Sequence, residues 1–331
     1  MNHLHEPSDT NATMTVTVAL AFDSQAKSLL KSAVNFCRTT KSKLRAVHVC
    51  EAFGYMQAAA VSYAPLGDFS VALEGEINRK AESNLKELVE PYRNDVAIET
   101  KVLVGTVSEQ ILQDAKHSGT RLLIVAAPAA LKSFVPTGFS TALTIMANAE
   151  VPVLSVPFGR EVPFDKLDAT LIVCDDLSPN NDGLLAVSAD FAAALSMNMM
   201  HIHVNGLEKD QLEAAVKYAA AAGHTPNEVQ VTADDLNKAY VKAIQMRMEE
   251  RLGRGRNKIE DSGGTYGRSV LSGQLDMALE EYFYKRRNSE EIIAFGRHKT
   301  IYQKPFAFGR LPFRAMLKHD VPILIVPPAK L

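Results

Sequence analysis

The sequence predicts an α/β protein made by tandem duplication, with two open parallel sheets each covered by helices. Three observations lead there. Apolar runs dense in Val, Ile and Leu alternate with amphipathic helical stretches; the same order restarts near residue 168; and the halves close on nearly one heptapeptide, VPVLSVP at 151–157 and VPILIVP at 321–327. Strands without polar alternation are buried on both faces, so helices must cover a parallel sheet above and below.

In the first half, the run Val16 to Phe22 ends at Asp23-Ser24 and feeds a helix with Leu29, Leu30, Ala33, Val34 and Cys37 on one face. A second run, Leu44 to Cys50, precedes an irregular segment from Phe53 to Phe69 and a charged helix from about Val71 to Tyr92. The third run, Ile98 to Val104, meets Gly105, and a helix follows with Ile111, Leu112 and Ala115 inward. Then come Leu122 to Ala127, a loop, a helix carrying Ala142, Ile145, Met146 and Ala149, and the run Val151 to Val156. The order is βαβαβαβαβ.

Pro157 to Leu167 mixes Pro, Gly and charge as a linker does. Beyond it, Thr170 to Cys174 restarts the pattern with Asp175 in the place of Asp23, Met200 to Val204 matches Ala46 to Val49, and Ser269 to Gly273 matches Lys101 to Gly105. The expected organisation is a flexible tail at 1–13, a first domain at 14–158, a linker at 159–167 and a second domain at 168–331 with an insertion at 206–268. Within the insertion, Leu236, Tyr240, Ile244 and Met248 recur at helical spacing. Arg251 to Gly267 combines glycine and charge with almost no apolar material, which predicts a mobile, solvated surface loop, an acidic partner being the alternative use of its charge.

A length of 331 residues suits two domains. The 36 basic and 38 acidic residues nearly cancel, so no chain-wide field favours nucleic acid or an anionic membrane. The three cysteines, Cys37, Cys50 and Cys174, form no metal spacing and fit a reducing compartment. With neither a signal peptide nor a long apolar run, the expectation is a cytoplasmic protein. His201 and His203 share one strand face but lack an obvious third ligand, so packing is preferred and no metal site is expected. Asp175-Asp176 points two carboxylates in different directions, leaving Asp175 as the candidate and Asp176 as a turn residue. No nucleophile elbow, HExxH or Walker loop is present, so nothing argues for a dedicated catalyst.

Apolar strands ending in Asp23 and Asp175, second strands carrying His48-Val49 and His203-Val204, and final Val-Pro strands resemble the universal stress protein family, over residues 14 to 158 and 168 to 328. The resemblance implies a Rossmann-like sheet of the adenine nucleotide alpha hydrolase-like type, strand order 3-2-1-4-5, with ligands at the switch point beyond the strand carboxyl ends. In nucleotide-binding members the loop after the fourth strand reads G-x2-G-x9-G-[S/T], where small residues let N–H groups approach phosphate. By that resemblance, Asp23 or Asp175 faces ribose hydroxyls or a metal, and Val49 or Val204 meets adenine. The first half places Ala126, Ala129, Phe139 and Ser140 on the loop pattern, and Pro128 removes a donor. The second half keeps Gly296 and Gly309, while Lys299 and Arg310 replace the middle glycine and the hydroxyl residue. The second half is therefore the expected site for ATP, ADP or AMP with Mg, since Arg310 at a helix start favours an anion beside it. The implied role is a non-catalytic or weakly nucleotide-responsive stress protein, with weak ATP hydrolysis at most. The alternative is a nucleotide-independent protein acting on an unknown protein partner through its surface and the 206–268 insertion. The two domains are expected to pair through their closing strands as an intrachain pseudo-dimer, with further homodimer formation left open.

Overall fold

The computed structural model describes residues 14–51, 64–127, 141–164, 169–207, 209–221, 232–286, 290–297 and 321–328. The tail at 1–13 lies outside them. The chain divides into two units, Met1–Lys166 and Leu167–Leu331.

In the first unit, β1 (Thr15–Ala19), α1 (Ala26–Thr40), β2 (Lys43–Cys50), α2 (Ala64–Val89), β3 (Ile98–Val104), α3 (Val107–His117), β4 (Thr120–Ala126), α4 (Thr141–Asn148) and β5 (Val153–Val156) follow in order. The strands are parallel, in the order β3-β2-β1-β4-β5. β1 is central and buried on both faces: Val16, Thr17 and Val18 are all hidden, and the Thr17 hydroxyl is satisfied by that of Thr120 on β4 at 2.6 Å. The inward stripe of α1 holds Leu29, Leu30, Ala33, Val34 and Cys37, as its periodicity predicts. Arg45 on β2 forms a buried two-pronged pair with Asp114 of α3 at 2.9 and 2.8 Å and also meets Glu99 of β3.

The expected linker is shorter than its composition suggests. Val162 and Phe164 are buried, Phe164 meets Phe36 edge to face at 5.3 Å, and the Val162 N–H donates to Ser32 Oγ at 2.9 Å. Two apolar side chains thus draw residues through Phe164 onto α1 and into the first unit's core.

The second unit runs β6 (Thr170–Cys174), α5 (Asp182–Ala194), β7 (Asn198–Asn205), α6 (Lys209–Ala221), α7 (Ala233–Leu252), α8 (Arg254–Asp261), β8 (Tyr266–Ser272), α9 (Leu275–Lys285), β9 (Glu291–Gly296) and β10 (Ile323–Val326). Its parallel order, β8-β7-β6-β9-β10, repeats that of the first unit.

The insertion is more structured than expected. Thr232 opens α7 with a reciprocal capping box to Asp235. Ile244, Met248 and Leu252 are buried, whereas Leu236 is half-buried and Tyr240 exposed, so only the second half of the apolar stripe enters a core. Arg251 to Gly267 is no loop. α7 ends at Gly253 (φ 49°), α8 follows at once, and its Ile259 is fully buried. Arg256 pairs with Glu249 and Glu260 at 2.7 Å, and Lys258 with Asp190. The glycines here serve close approach. A Cβ at Gly255 would come 2.9 Å from Ala189 Cβ on α5, and one at Gly264 only 2.2 Å from Met197 O.

Gly264→Ala is therefore expected to cost about 1–3 kcal/mol through overpacking. Gly75→Ala, on α2 with nothing within 4 Å, is expected to gain up to about 1 kcal/mol. Urea unfolding of the two variants checks this, and equal midpoints would contradict a packed turn at 264.

Candidate functional site

In the first unit the chain leaves β1 at Ala19, runs through Leu20, Ala21 and Phe22, and turns at Asp23. The turn is local: Asp23 Oδ1 accepts the Gln25 N–H at 2.9 Å, and α1 begins at Ala26. Asp23 is exposed, and its second oxygen meets no partner among the described residues. His48 on β2 bonds through Nδ1 to the Leu20 carbonyl at 2.8 Å, and Phe22 stacks on its ring at 3.9 Å between centroids. A carbonyl only accepts, so Nδ1 carries the proton, leaving Nε2 with a lone pair on the neutral ring.

Leu20, Asp23, Gln25 and His48 line a cleft of about 280 Å³ at the carboxyl ends of β1, β2 and β4, the switch point of the sheet. Val49, Ile111, Val125 and Ile145 contribute apolar wall, and Asp23, Gln25, His48 and Thr141 are its polar members. Gln25 is only 7% exposed, and its Oε1 is buried without a hydrogen bond. Such an orphaned acceptor costs about 1–3 kcal/mol unless something completes it.

The second unit treats the equivalent place differently. Sheet register sets Thr15 opposite Lys43 and Thr170 opposite Asn198, which carries Leu20, not Asp23, onto Asp175. The histidines agree, because His48 bonds Leu20 O and His203 Nδ1 bonds Asp175 O at 2.9 Å. The sequence pairing of Asp175 with Asp23 is thus three residues out of step. The first unit extends through Leu20, Ala21 and Phe22 before reaching its acid, whereas Asp175 follows the strand at once.

The consequence is burial. The Asp175 side chain is fully hidden; Oδ1 accepts from Leu177 N–H at 2.9 Å and Asn181 Nδ2 at 3.3 Å, and Oδ2 accepts from His201 Nε2 at 3.1 Å. With Nε2 donating, His201 Nδ1 receives the Tyr266 hydroxyl at 3.2 Å, giving a chain from Tyr266 through His201 to Asp175. The inserted helix closes over this turn. Arg251 of α7 lies 3.9 Å from Asp175 and donates to Ser178 O at 2.8 Å, while Leu177 packs with Ile244 and Met248. Burial raises the Asp175 pKa, but the His201 hydrogen bond, the Arg251 charge and the Leu177 N–H outweigh it and hold the carboxyl below its ordinary range.

The structure brings Asp23 and Val49 together in the first cleft. Val204 stands half-buried on β7, level with Val49 on β2. Gly296 ends β9, but the group it admits is the chain's own: a Cβ there would lie 2.3 Å from Asn181 Oδ1. Asp176 is a turn residue, accepting the Ser178 N–H at 2.8 Å. Ser140, Lys299, Gly309 and Arg310 lie outside the described residues. Gln25, Phe22, Asn181 and Arg251 went unnoticed as site residues. The spacing that aligns His48 with His203 was the signal that could have exposed the slip. Among the described residues no group of three or more His, Cys, Asp or Glu could hold a metal, and no helix is long and apolar enough to cross a membrane.

Residues 13–157 match the model of the universal stress protein family. A universal stress protein from Archaeoglobus fulgidus DSM 4304 is similar in fold, at 11% identity over 96% of this chain and 97% of that one, with a TM-score of 0.57. A functionally unknown protein from Pseudomonas aeruginosa PAO1 matches at 13% identity over 96% of this chain and 93% of that one, with a TM-score of 0.55. A universal stress protein solved in complex with cAMP matches 44% of this chain and 98% of that one, at 15% identity and a TM-score of 0.29. No curated protein sequence matches.

Removing Asp175 would strand His201 and Arg251 beside one another. Asp175→Ala is expected to lose about 3–5 kcal/mol of unfolding free energy at neutral pH, the usual cost of breaking a buried ionic partnership. Because the folded-state pKa is lowered, the carboxylate's contribution is full above its unfolded value of about 3.9 and is lost as pH falls through the lower folded value. Asp175→Asn should therefore flatten the stability profile only below about pH 4. Denaturant titrations from pH 7 to pH 2 check both variants.

Proposed function

On the premise that the first domain belongs to the universal stress protein family, we propose that this chain is a non-catalytic stress-response protein whose ligand-responsive site is the first-domain cleft. The ligand is of the adenine nucleotide or nucleoside class. The second domain keeps the sheet but fills the matching turn with its own side chains. The observation that carries this reading is the contrast between Asp23, exposed at the rim of an open cleft, and Asp175, buried among His201, Asn181 and Leu177. It reverses the preference drawn from the loop sequences, which favoured the second half for ATP, ADP or AMP with Mg. The loop residues Lys299 and Arg310 can attract an anion only where the strand-end turn leaves room, and Asp175, Asn181 and Gly296 are already engaged with one another. No arrangement among the described residues supplies a base and nucleophile for hydrolysis, so binding without turnover fits the site better than catalysis.

A second reading has its own observation. Tyr218 on α6 and Tyr240 and Met246 on α7 are 76%, 44% and 56% exposed. An inserted helical pair presenting aromatic and Met side chains suits a protein partner, so the insertion is a proposed contact surface acting beside the cleft.

Calorimetric titration of the full chain with adenosine, AMP, ADP and ATP, with and without Mg, tests the main reading. Asp23→Ala should weaken the bound member by about tenfold or more, as loss of a charged hydrogen-bond acceptor does. Lys299→Glu and Arg310→Glu should leave it unchanged. Binding abolished by the latter pair and untouched by Asp23→Ala would move the site to the second domain.

A further inference from the structure

We infer that the outer edge of β3 is a self-pairing surface, joining two copies of this chain antiparallel about a twofold axis through Thr100 so that Glu99 of each copy meets Lys101 of the other.

The backbone sets the phase of the edge. β3 ends the strand order of the first unit, and among the described residues its one strand neighbour is β2. Leu44 N–H donates to Ala97 O and Gly105 N–H to Cys50 O, both at 3.0 Å, so the odd-numbered residues of β3 turn their peptide groups toward β2. Ile98, Thr100 and Val102 turn theirs outward, a row of donors and acceptors that a further strand completes. Side chains along this edge reach solvent: Glu99 is 63% exposed there, Val104 41%, and Lys101 is exposed as well.

The residues of the edge select a second copy as its occupant. Ile98-Glu99-Thr100-Lys101-Val102 is self-complementary when read antiparallel. With Thr100 opposite its own counterpart, Ile98 stands opposite Val102 at hydrogen-bonded positions. Glu99 stands opposite Lys101 at the non-hydrogen-bonded positions, where side chains come closest. A β-branched pair on one face and an opposite-charge pair on the other are both favourable across strands. Moving the axis by one residue would oppose Glu99 to Glu99 or Lys101 to Lys101, so charge fixes the register as well as the partner. Glu99 is already oriented, because its Oε1 accepts from Arg45, which Asp114 of α3 anchors. Charges on an edge ordinarily keep other strands away. Their order about Thr100 makes the same device admit one partner, a copy of itself. β8, which ends the strand order of the second unit, offers no such match, since its only charged side chain, Arg268, is engaged with Glu249. A twofold contact of one edge with itself closes at two copies.

Sedimentation of the full chain across micromolar concentrations tests this, alongside Thr100→Cys, Val104→Cys, Thr100→Pro and Lys101→Glu. A concentration-dependent dimer is expected. Oxidation should link Thr100→Cys to its own copy, because hydrogen-bonded antiparallel neighbours stand about 5.5 Å apart at Cα, within disulfide reach. Wild type and Val104→Cys should stay unlinked, since the same register holds the two copies of residue 104 more than about 20 Å apart. Thr100→Pro removes an N–H that faces away from β2, so it should abolish the dimer and leave the chain folded by circular dichroism. Lys101→Glu should weaken the dimer by about tenfold, and mixing it with Glu99→Lys should restore association, because the mixed pair again opposes unlike charges. A monomer at every concentration would overturn the inference. So would a dimer that Lys101→Glu leaves intact and that forms no disulfide through Thr100→Cys, or a mass that grows beyond two copies.

Discussion

The buried carboxylate of Asp175 is the constraint around which the second domain is arranged. A carboxylate with no solvent exposure survives only if every lone pair is used. Here the turn supplies Leu177 N–H and Asn181, β7 supplies His201, and the inserted helix supplies Arg251. Each supplier is held in turn. Tyr266 on β8 fixes the His201 ring, the backbone of Gly296 makes room for Asn181, and Ile244 and Met248 dock α7 against Leu177. The insertion is thus tied to the strand end by charge and by apolar packing together.

The first domain has the same sheet without that lock. Leu20 stands where Asp175 stands, so no buried charge at this strand end demands partners, and the acid appears three residues later on the exposed side of a short turn. The cleft between β1 and β4 stays open, walled by apolar side chains and rimmed by acceptors. The two units share one strand order, and the position of a single acid separates an internal tie in the second from an open cleft in the first.

Much of the architecture was legible from periodicity. β3 and β6 fall where their apolar runs begin and end, the stripe of α1 is the predicted one, and the strand order follows the universal stress protein resemblance. The failures share a cause. Glycine and charge between Arg251 and Gly267 read as a solvated loop because composition cannot reveal that Gly255 and Gly264 sit against Ala189 and Met197, or that Arg256 and Lys258 find acidic partners on neighbouring helices. The linker was misjudged because Val162 and Phe164 are only two apolar residues among polar ones, yet they reach α1. The site was the least legible part. An Asp after an apolar run is the same signal whether its side chain enters the core or the solvent, and only sheet register distinguishes them.

Amide hydrogen exchange of the full chain, with and without saturating adenosine, tests the asymmetry between the domains most directly. The account predicts added protection in peptides covering 20–29, 47–50 and 107–111, with peptides covering 175–181 and 244–252 unchanged. Protection gained around 175–181 and 244–252, with none at 20–29, would contradict it by showing that the turn held by Asp175 is the one that receives ligand.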